Sequence, residues 1–297
     1  MRSRIGRLRA TVGPAMAARA MNMMASPGNS LPAEAGPRRY RAIWISDIHL
    51  GTRGCKAELL LDFLRNTDSE ALYLVGDIVD GWRLKRSWYW PQLHNDVVQK
   101  LLRKARKGTR VVYIPGNHDE LLRRFLEINI GQIEVVSEAM HTTAAGKRLL
   151  VQHGDEFDTV VRYARWLAFL GDWAYNAALA ANHWLNVLRR ALGLNYWSLS
   201  AYLKHRVKNA VEYISRFEHA VAEAAAKRGA DGVVCGHIHH AEIRDIGGVT
   251  YCNDGDWVES CTALVEHPDG SLEILRWIED PAEFFAPSRA RQAAAAR

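Results

Sequence analysis

The sequence predicts an α/β fold in which two layers of mixed β-strands are flanked by helices and interrupted by a helical insertion. In the first half, short apolar runs alternate with amphipathic segments, which indicates strands joined through helices in a parallel or mixed sheet. The final third returns to closely spaced strands. With 297 residues, 48% of them hydrophobic, the chain is long enough to bury a sizeable core.

The first half carries three predicted strands and two predicted helices. The strands are short apolar runs at Ala42–Ser46, Ala71–Val75 and Arg110–Ile114. Between them, Lys56–Asn66 and Gln92–Lys107 have apolar residues at helical spacing. Helices between strands cover the faces of a central sheet.

The second half predicts a hairpin, an insertion and five more strands. Met140–Gln152 turns around Ala145-Gly146, and about 157–227 has no strand signal and is predicted to be a helical insertion. The last two strands are joined by a turn at Pro268-Asp269-Gly270. The five strands are Gly232–Cys235, Glu242–Ile246, Val249–Asn253, Cys261–His267 and Ser271–Trp277.

The charge of the chain is concentrated at its start. The first 41 residues hold eight arginines and one acid, so residues 42–297 total −1 although the whole chain is +6. Residues 1–39 are predicted to be a disordered basic arm, either one that touches anionic lipid or an inert leader, and residues 279–297 a low-complexity tail. Between them lies one domain at 40–278. Its slightly acidic body argues against a nucleic-acid partner.

Targeting and redox signals predict a cytoplasmic protein. The basic arm has no continuous apolar run of the kind that a secretory signal needs. No segment reaches the roughly 18 uninterrupted apolar residues of a membrane-spanning helix. The four cysteines have no CxxC spacing, which predicts reduced thiols.

Five short polar motifs each follow a predicted strand directly. Because the carboxyl ends of strands in an α/β sheet converge on one crevice, we expect the motifs to meet there. Each motif alone has an ordinary interpretation, such as a surface acid, a turn or a capped strand end, but all five in this order favour a functional site. They are Asp47-Ile48-His49, Gly76-Asp77-Ile78-Val79-Asp80, Gly116-Asn117-His118-Asp119, His153-Gly154-Asp155 and Gly236-His237-Ile238-His239.

The motifs supply the ligands of a divalent metal centre. Carboxylate, amide and imidazole groups are suitable ligands, and residues two apart in an extended segment point the same way. Seven ligands are too many for one catalytic metal ion and suit two ions that share a bridging carboxylate. We assign this carboxylate to Asp77. Such ligands accommodate manganese, iron or zinc. The candidates are Asp47, His49, Asp77, Asn117, His153, His237 and His239.

In this order the motifs resemble those of the calcineurin-like metallophosphoesterases, over about Tyr40–Trp277. The resemblance implies that His118 contacts the phosphate and protonates the leaving oxygen, with Asp119 orienting its ring. It also implies one metal held by Asp47, His49, Asp77 and His239, and a second by Asp77, Asn117, His153 and His237.

Within that superfamily, the chain length, the Gly-Asp-Ile-Val-Asp-Gly-Trp motif and the insertion after His-Gly-Asp resemble the UDP-2,3-diacylglucosamine pyrophosphatases of lipid A biosynthesis. These release UMP and a lipid sugar phosphate, usually with manganese, and hold acyl chains in the insertion. The resemblance implies a lipid-linked phosphorylated substrate at the inner membrane surface. His118 stands where those enzymes carry arginine, and Glu156-Phe157-Asp158-Thr159 replaces their Cys-Thr-Asp-Asp, which indicates a sibling branch.

Basic and aromatic residues cluster after the second motif, at 85–90, and in the insertion, at 183–209. Such a mixture suits an amphiphilic phosphate or a membrane interface, and plain helix packing with solvated basic faces is the alternative. The candidate substrate-binding residues are Arg86, Trp88, Arg189, Arg190, Lys204 and Lys208.

Three functions follow from these observations. The first is hydrolysis of the diphosphate of a UDP-linked lipid sugar. The second is a phosphodiesterase or phosphomonoesterase with another lipid or nucleotide substrate. The third is a metal-binding scaffold without turnover, against which the complete ligand set and His118 both argue.

Overall fold

The computed structural model describes residues 37–157 and 214–277. The predicted N-terminal arm up to residue 36, most of the predicted insertion and the C-terminal tail lie outside the described residues. The described helices are α1 (Ala57–Asn66), α2 (Gly81–Arg86), α3 (Gln92–Arg106) and α4 (214–227), with 3₁₀ turns at Glu120–Phe125 and Asp155–Phe157. The strands are β1 (Arg38–Ile45), β2 (Thr67–Val75), β3 (Arg110–Ile114), β4 (Ile128–Ile130), β5 (Ile133–Val135), β6 (Ala139–Thr142), β7 (Arg148–Val151), β8 (Gly232–Cys235), β9 (Glu242–Ile246), β10 (Val249–Asn253), β11 (Thr262–Glu266) and β12 (Leu272–Arg276).

These strands form two mixed sheets. The first has seven strands in the order β12-β11-β1-β2-β3-β5-β4, in which β1, β2, β3 and β5 are parallel. The second has five strands in the order β6-β7-β8-β10-β9, in which β7, β8 and β10 are parallel. The predicted fold class, two layers of mixed strands flanked by helices, is confirmed.

Side-chain alternation along the strands divides the core into three layers. In β1, Trp44 faces the second sheet, whereas Ile43 and Ile45 pack with α1 and α3 on the opposite face. In β8, Val234 joins the layer between the sheets, and its two neighbours pack with α4. Strands that are buried on both faces need apolar residues at successive positions, which is why they appear in the sequence as continuous apolar runs.

The structure adds elements that the sequence pattern does not predict. Strand β1 begins at Arg38, four residues before the predicted start and inside the predicted arm, because it pairs with β2 from Arg38 onward. Strand β2 begins at Thr67, directly after α1. Strands β4 and β5 have three residues each and α2 has six, so all three are too short to show a hydrophobic period.

Two further predictions concern compartment. All four cysteines are free thiols, as predicted. In the described part of the chain, no helix has both the length and the apolar character needed to cross a bilayer.

Candidate metal centre

The five motif loops follow β1, β2, β3, β7 and β8 directly, as predicted. Backbone hydrogen bonds hold neighbouring loops together. The N–H of Asp47 donates to the Gly76 carbonyl at 3.0 Å, and that of His49 donates to the Asp77 carbonyl at 2.9 Å. Across the sheets, the N–H of His237 donates to Asp47 Oδ2 at 2.7 Å. Both sheets therefore present their carboxyl strand ends to one site.

Two groups of predicted ligands lie with their donor atoms close together. Asp47, His49 and His239 form one group and Asp77, His153 and His237 another, and within each group all donor atoms lie within 4.8 Å of one another. In the first, Nε2 of His239 is 2.9 Å from Oδ1 of Asp47. In the second, Nε2 of His153 is 3.5 Å from Oδ1 of Asp77. Six of the seven predicted ligands thus occupy two adjoining clusters.

Asp77 lies between the two clusters. Its Oδ1 faces His153, whereas its Oδ2 is 3.9 Å from Nε2 of His49, which belongs to the other cluster. The seventh candidate, Asn117, has a buried Oδ1, and its neighbour His118 donates its backbone N–H to Asp77 Oδ1 at 2.8 Å. The loop that carries Asn117 therefore contacts the carboxylate at the centre.

Five of the predicted ligands have a left-handed backbone, which residues other than glycine rarely adopt. Their φ angles lie between 49° and 70°. The extended geometry assumed for Asp-x-His and His-x-His is therefore wrong, although each pair still reaches one cluster. Strained backbone of this kind persists where the surrounding contacts impose it and is concentrated at functional sites. The five residues are Asp47, His49, Asp77, His237 and His239.

The loop glycines allow the backbones to approach the ligands. A Cβ at Gly116 would lie 2.4 Å from Asp77 Oδ1, and one at Gly236 would lie 2.6 Å from Asp47 Oδ2. Real Cβ atoms do not come so close to an oxygen, so alanine at either position would displace a predicted metal ligand.

Two buried ligand atoms at the centre make no hydrogen bond among the described residues. This is costly for a buried polar atom unless a ligand satisfies it. The other ring nitrogen of His153, Nδ1, lies 2.8 Å from the Val75 carbonyl oxygen. This contact orients Nε2 toward Asp77, as second partners do for metal-binding histidines. The donor set therefore fits divalent cations. The atoms are Asn117 Oδ1 and His153 Nε2.

The charges in the site are strongly coupled. Burial raises the pKa of the Asp47 and Asp77 carboxyls, but His239 and His153 outweigh it and hold both pKa values below their usual range. Burial lowers the pKa of His153, yet Asp77 raises it to about 10. Protons on such imidazoles balance the buried carboxylates, a role that divalent cations at the same atoms would take over with release of those protons.

His118 lies at the edge of the centre. Its Nε2 is 3.9 Å from Asp77 Oδ2, and its ring packs against His49 on one side. The Trp82 indole lies against it at a centroid distance of 4.3 Å. The position suits a proton donor near the metal ligands.

The structure places Asp119 away from the role predicted for it. Its carboxylate accepts hydrogen bonds from the N–H groups of Gly116 (2.6 Å) and Ile78 (2.9 Å), because the turn after His118 directs it back into the loops. The carboxylate at the His118 ring belongs to Asp80, whose Oδ1 is 3.1 Å from Nδ1. Asp80 also reaches Nδ1 of His49 at 3.3 Å. Asp80, present in the second motif but given no role there, thus makes the orienting contact.

A second carboxylate that sequence reasoning missed lies behind Asp47. The Ser46 hydroxyl is 2.7 Å from Asp47 Oδ2 and 2.6 Å from Asp254 Oδ1. Burial raises the pKa of Asp254 well above its usual range. The available signal was its position directly after β10, at the same edge of the sheet as the motifs.

A cleft of about 630 Å³ opens beside the centre, with His49, His118 and His239 in its wall. Of the candidate substrate-binding residues, Arg86 lines this cleft. Trp88 does not line it and is 76% exposed. Arg189, Arg190, Lys204 and Lys208 lie outside the described residues.

A family profile and similar proteins of known name identify the family of the chain. The profile of the calcineurin-like phosphoesterases matches residues 40–241. A UDP-2,3-diacylglucosamine hydrolase of Xanthomonas oryzae pv. oryzae is 30% identical over 244 residues, covering 78% of this chain and 97% of the relative. One of Neisseria meningitidis serogroup B is 25% identical over 251 residues, covering 78% and 97%. The structure of an archaeal phosphodiesterase aligns over 79% of this chain and 98% of that chain, at 12% identity and a TM-score of 0.39.

Proposed function

The chain belongs to the calcineurin-like phosphoesterases and is a metal-dependent phosphoester hydrolase, and we propose that it cleaves the diphosphate of UDP-2,3-diacylglucosamine or a similar UDP-linked lipid, releasing UMP and a lipid sugar phosphate. The main support is that relatives with this named substrate align with 78% of the chain. The family profile spans every motif of the centre. The acyl chains of such a substrate would place the reaction at the cytoplasmic surface of the inner membrane.

The donor atoms divide between two cations in this proposal. Asp77 would be a ligand of both, because its two oxygens face different histidines. Two divalent cations, with manganese favoured over iron or zinc, would activate water and neutralise charge on the phosphoryl group. One set of ligands is Asp47, His49, Asp77 and His239, and the other is Asp77, Asn117, His153 and His237.

His118 is the proposed proton donor to the leaving oxygen. Its Nδ1 contacts Asp80, so Nε2 is the nitrogen directed toward Asp77 and the reacting phosphate. Asp80 keeps the ring in that orientation, and the flanking rings of Trp82 and His49 restrict its rotation. Asp119 supports the reaction indirectly, because it holds the loops of the second and third motifs together.

A second candidate function has its own supporting observation. His118 stands at the position where the pyrophosphatases that the chain resembles carry arginine, and a proton donor suits a poor leaving group such as an alcohol. A phosphodiesterase or phosphomonoesterase with another lipid or nucleotide substrate is therefore the alternative.

The test is product analysis with the Mn²⁺-loaded protein. We expect UMP from UDP-2,3-diacylglucosamine, identified by mass spectrometry, and no UMP from the Asp77→Ala variant. Rapid hydrolysis of bis(p-nitrophenyl) phosphate or p-nitrophenyl phosphate without any UMP would favour the alternative. A wild-type protein that binds Mn²⁺ and hydrolyses none of the three would indicate a scaffold.

A further inference from the structure

Two arginines of α2 line cavities beside the metal centre. Arg83 and Arg86 are three residues apart, which places them on the same side of the helix. Both line the main cleft of about 630 Å³ and a smaller cavity of about 210 Å³ beside it. Asp80 and His118 line both cavities as well. The two guanidinium groups and the proposed proton donor therefore share the same walls.

Helix α2 is held against the centre by its first residues. The Asp80 side chain caps the helix by accepting a hydrogen bond from the Arg83 N–H at 2.8 Å. The same carboxylate contacts the rings of His118 and His49. Because Asp80 bonds both the helix and the histidines, the position of the two arginines is coupled to that of His118.

In the described part of the chain, no carboxylate balances the positive charge of this pair. Among the described residues, no acidic side chain lies within ion-pair distance of the Arg83 or Arg86 guanidinium, whereas Arg110 pairs with Glu134 at 2.8 Å. Two like charges three positions apart on a helix repel each other. A third cation, Arg53, extends the basic wall of the cleft and is fixed over the Tyr89 ring at 4.7 Å.

We propose that Arg83 and Arg86 bind the phosphoryl group that departs when the diphosphate is cleaved, so that they select substrates whose leaving group is a phosphate monoester. This inference rests on the proposed function of the same site. His118 is placed to protonate the leaving oxygen, so the leaving group lies on the His118 side of the centre. That side is where the two arginines line the walls.

The reaction is a hydrolysis that needs no further reactant. Oxygen from water forms a bond to the attacked phosphorus and releases a proton to solvent, and the bond from that phosphorus to the oxygen between the two phosphorus atoms breaks. The electron pair remains on the bridging oxygen, which departs with the second phosphoryl group and takes its proton from His118. Guanidinium groups stabilise the charge that develops on this group, because planar, charged donors match phosphate oxygens.

The experiment compares a diphosphate substrate and a phosphodiester substrate in the Mn²⁺-loaded protein. Arg83→Gln and Arg86→Gln should each lower kcat/KM for UDP-2,3-diacylglucosamine roughly 10- to 100-fold, the effect of a lost charge-assisted hydrogen bond. Turnover of bis(p-nitrophenyl) phosphate, whose leaving group has no phosphoryl group, should change less than about threefold. Lys85→Gln is the matched control, because Lys85 is exposed on the same helix and lines neither cavity.

A binding measurement separates this inference from the proposed function. By calorimetry, the wild-type protein should bind methylenediphosphonate more tightly than methylphosphonate, and both arginine variants should lose that preference while Lys85→Gln keeps it. This arm gives a result even if UDP-2,3-diacylglucosamine is not a substrate. Two results would overturn the assignment. One is an equal loss of turnover with both substrates in the arginine variants, and the other is an unchanged preference of these variants for the diphosphonate.

Discussion

Two buried polar clusters of this protein differ in how their atoms are satisfied. One joins the two sheets: the Tyr73 hydroxyl lies 3.1 Å from His141 Nδ1, and His141 Nε2 lies 2.7 Å from Glu266 Oε2. The other Glu266 oxygen accepts the Ala144 N–H at 2.7 Å and is 3.4 Å from Arg41 Nε. The Tyr73 hydroxyl, both ring nitrogens of His141 and both oxygens of Glu266 thus have a protein partner.

The candidate metal centre also contains buried histidines and carboxylates, but two of its ligand atoms, Asn117 Oδ1 and His153 Nε2, make no hydrogen bond among the described residues. Five of its seven predicted ligands also have a left-handed backbone, whereas none of the four residues Tyr73, His141, Ala144 and Glu266 does. A satisfied cluster contributes to the stability and specificity of the fold. An unsatisfied and strained one is maintained for a ligand.

The largest effect should come from the carboxylate between the two ligand clusters. Asp77→Ala should lower kcat for bis(p-nitrophenyl) phosphate by at least roughly 10³-fold, because two cations supply several kcal/mol of charge stabilisation. It should also abolish the rise in melting temperature that Mn²⁺ produces in the wild type. Asp245→Ala, at an exposed position in β9, is the control. Full Mn²⁺ stabilisation of Asp77→Ala would contradict the bridging role.

The next effect separates proton transfer from metal binding within the centre. His118→Asn should lower kcat roughly 10²- to 10⁴-fold, as expected for loss of a general acid, while two Mn²⁺ ions still bind per chain. Metal content by mass spectrometry and steady-state kinetics check this. Trp88→Leu should leave both unchanged, since Trp88 is exposed and does not line the cleft. Loss of one metal ion in His118→Asn would instead make His118 a ligand.

The satisfied cluster should respond in the opposite way. His141→Leu leaves the Tyr73 hydroxyl and a buried oxygen of Glu266 without a partner, so the free energy of unfolding should fall by roughly 2–4 kcal/mol. Urea denaturation measures this loss. At urea concentrations below the unfolding midpoint of His141→Leu, its kcat/KM should stay within about threefold of the wild-type value. Lost activity at unchanged stability would show that this cluster serves the reaction.

The smallest effect concerns an acid that is only partly satisfied. Glu218 on α4 pairs with Arg244 at 3.1 Å, but its buried Oε1 has no hydrogen-bond partner among the described residues. Burial raises the pKa of Glu218 to about 7, although Arg244 opposes the shift.

The sign of the pH dependence follows from this raised pKa. Between about pH 4.5 and 7 the unfolded chain has lost the Glu218 proton and the native protein retains it, so this residue's contribution to stability falls as pH rises to 7. The stability of wild type relative to Glu218→Gln should therefore decrease from pH 5 to 8, by on the order of 1 kcal/mol after solvent screening. Chemical denaturation at both pH values checks this, and a rising difference would contradict it.

Much of the fold was predictable because its strands are buried on both faces. Continuous apolar runs such as Val111–Ile114 locate these strands, whereas β4, with three exposed residues, buries too little to leave a pattern. Helix α2 was missed for a related reason, because its six residues contain no buried one. The placement of Arg83 and Arg86 on one short helix beside the cleft could therefore be seen only in the structure.

The ligand set could be identified locally, since each ligand lies at the end of a recognisable strand and parallel strands bring their ends to one edge of a sheet. The partners of those ligands could not. Ser46 meets Asp254 across 208 residues, and His118 contacts Asp80 although Asp119 is its neighbour in sequence. Such contacts depend on how separate loops pack together, and the left-handed φ angles at Asp47 and Asp77 are unfavourable locally and persist only because that packing holds them.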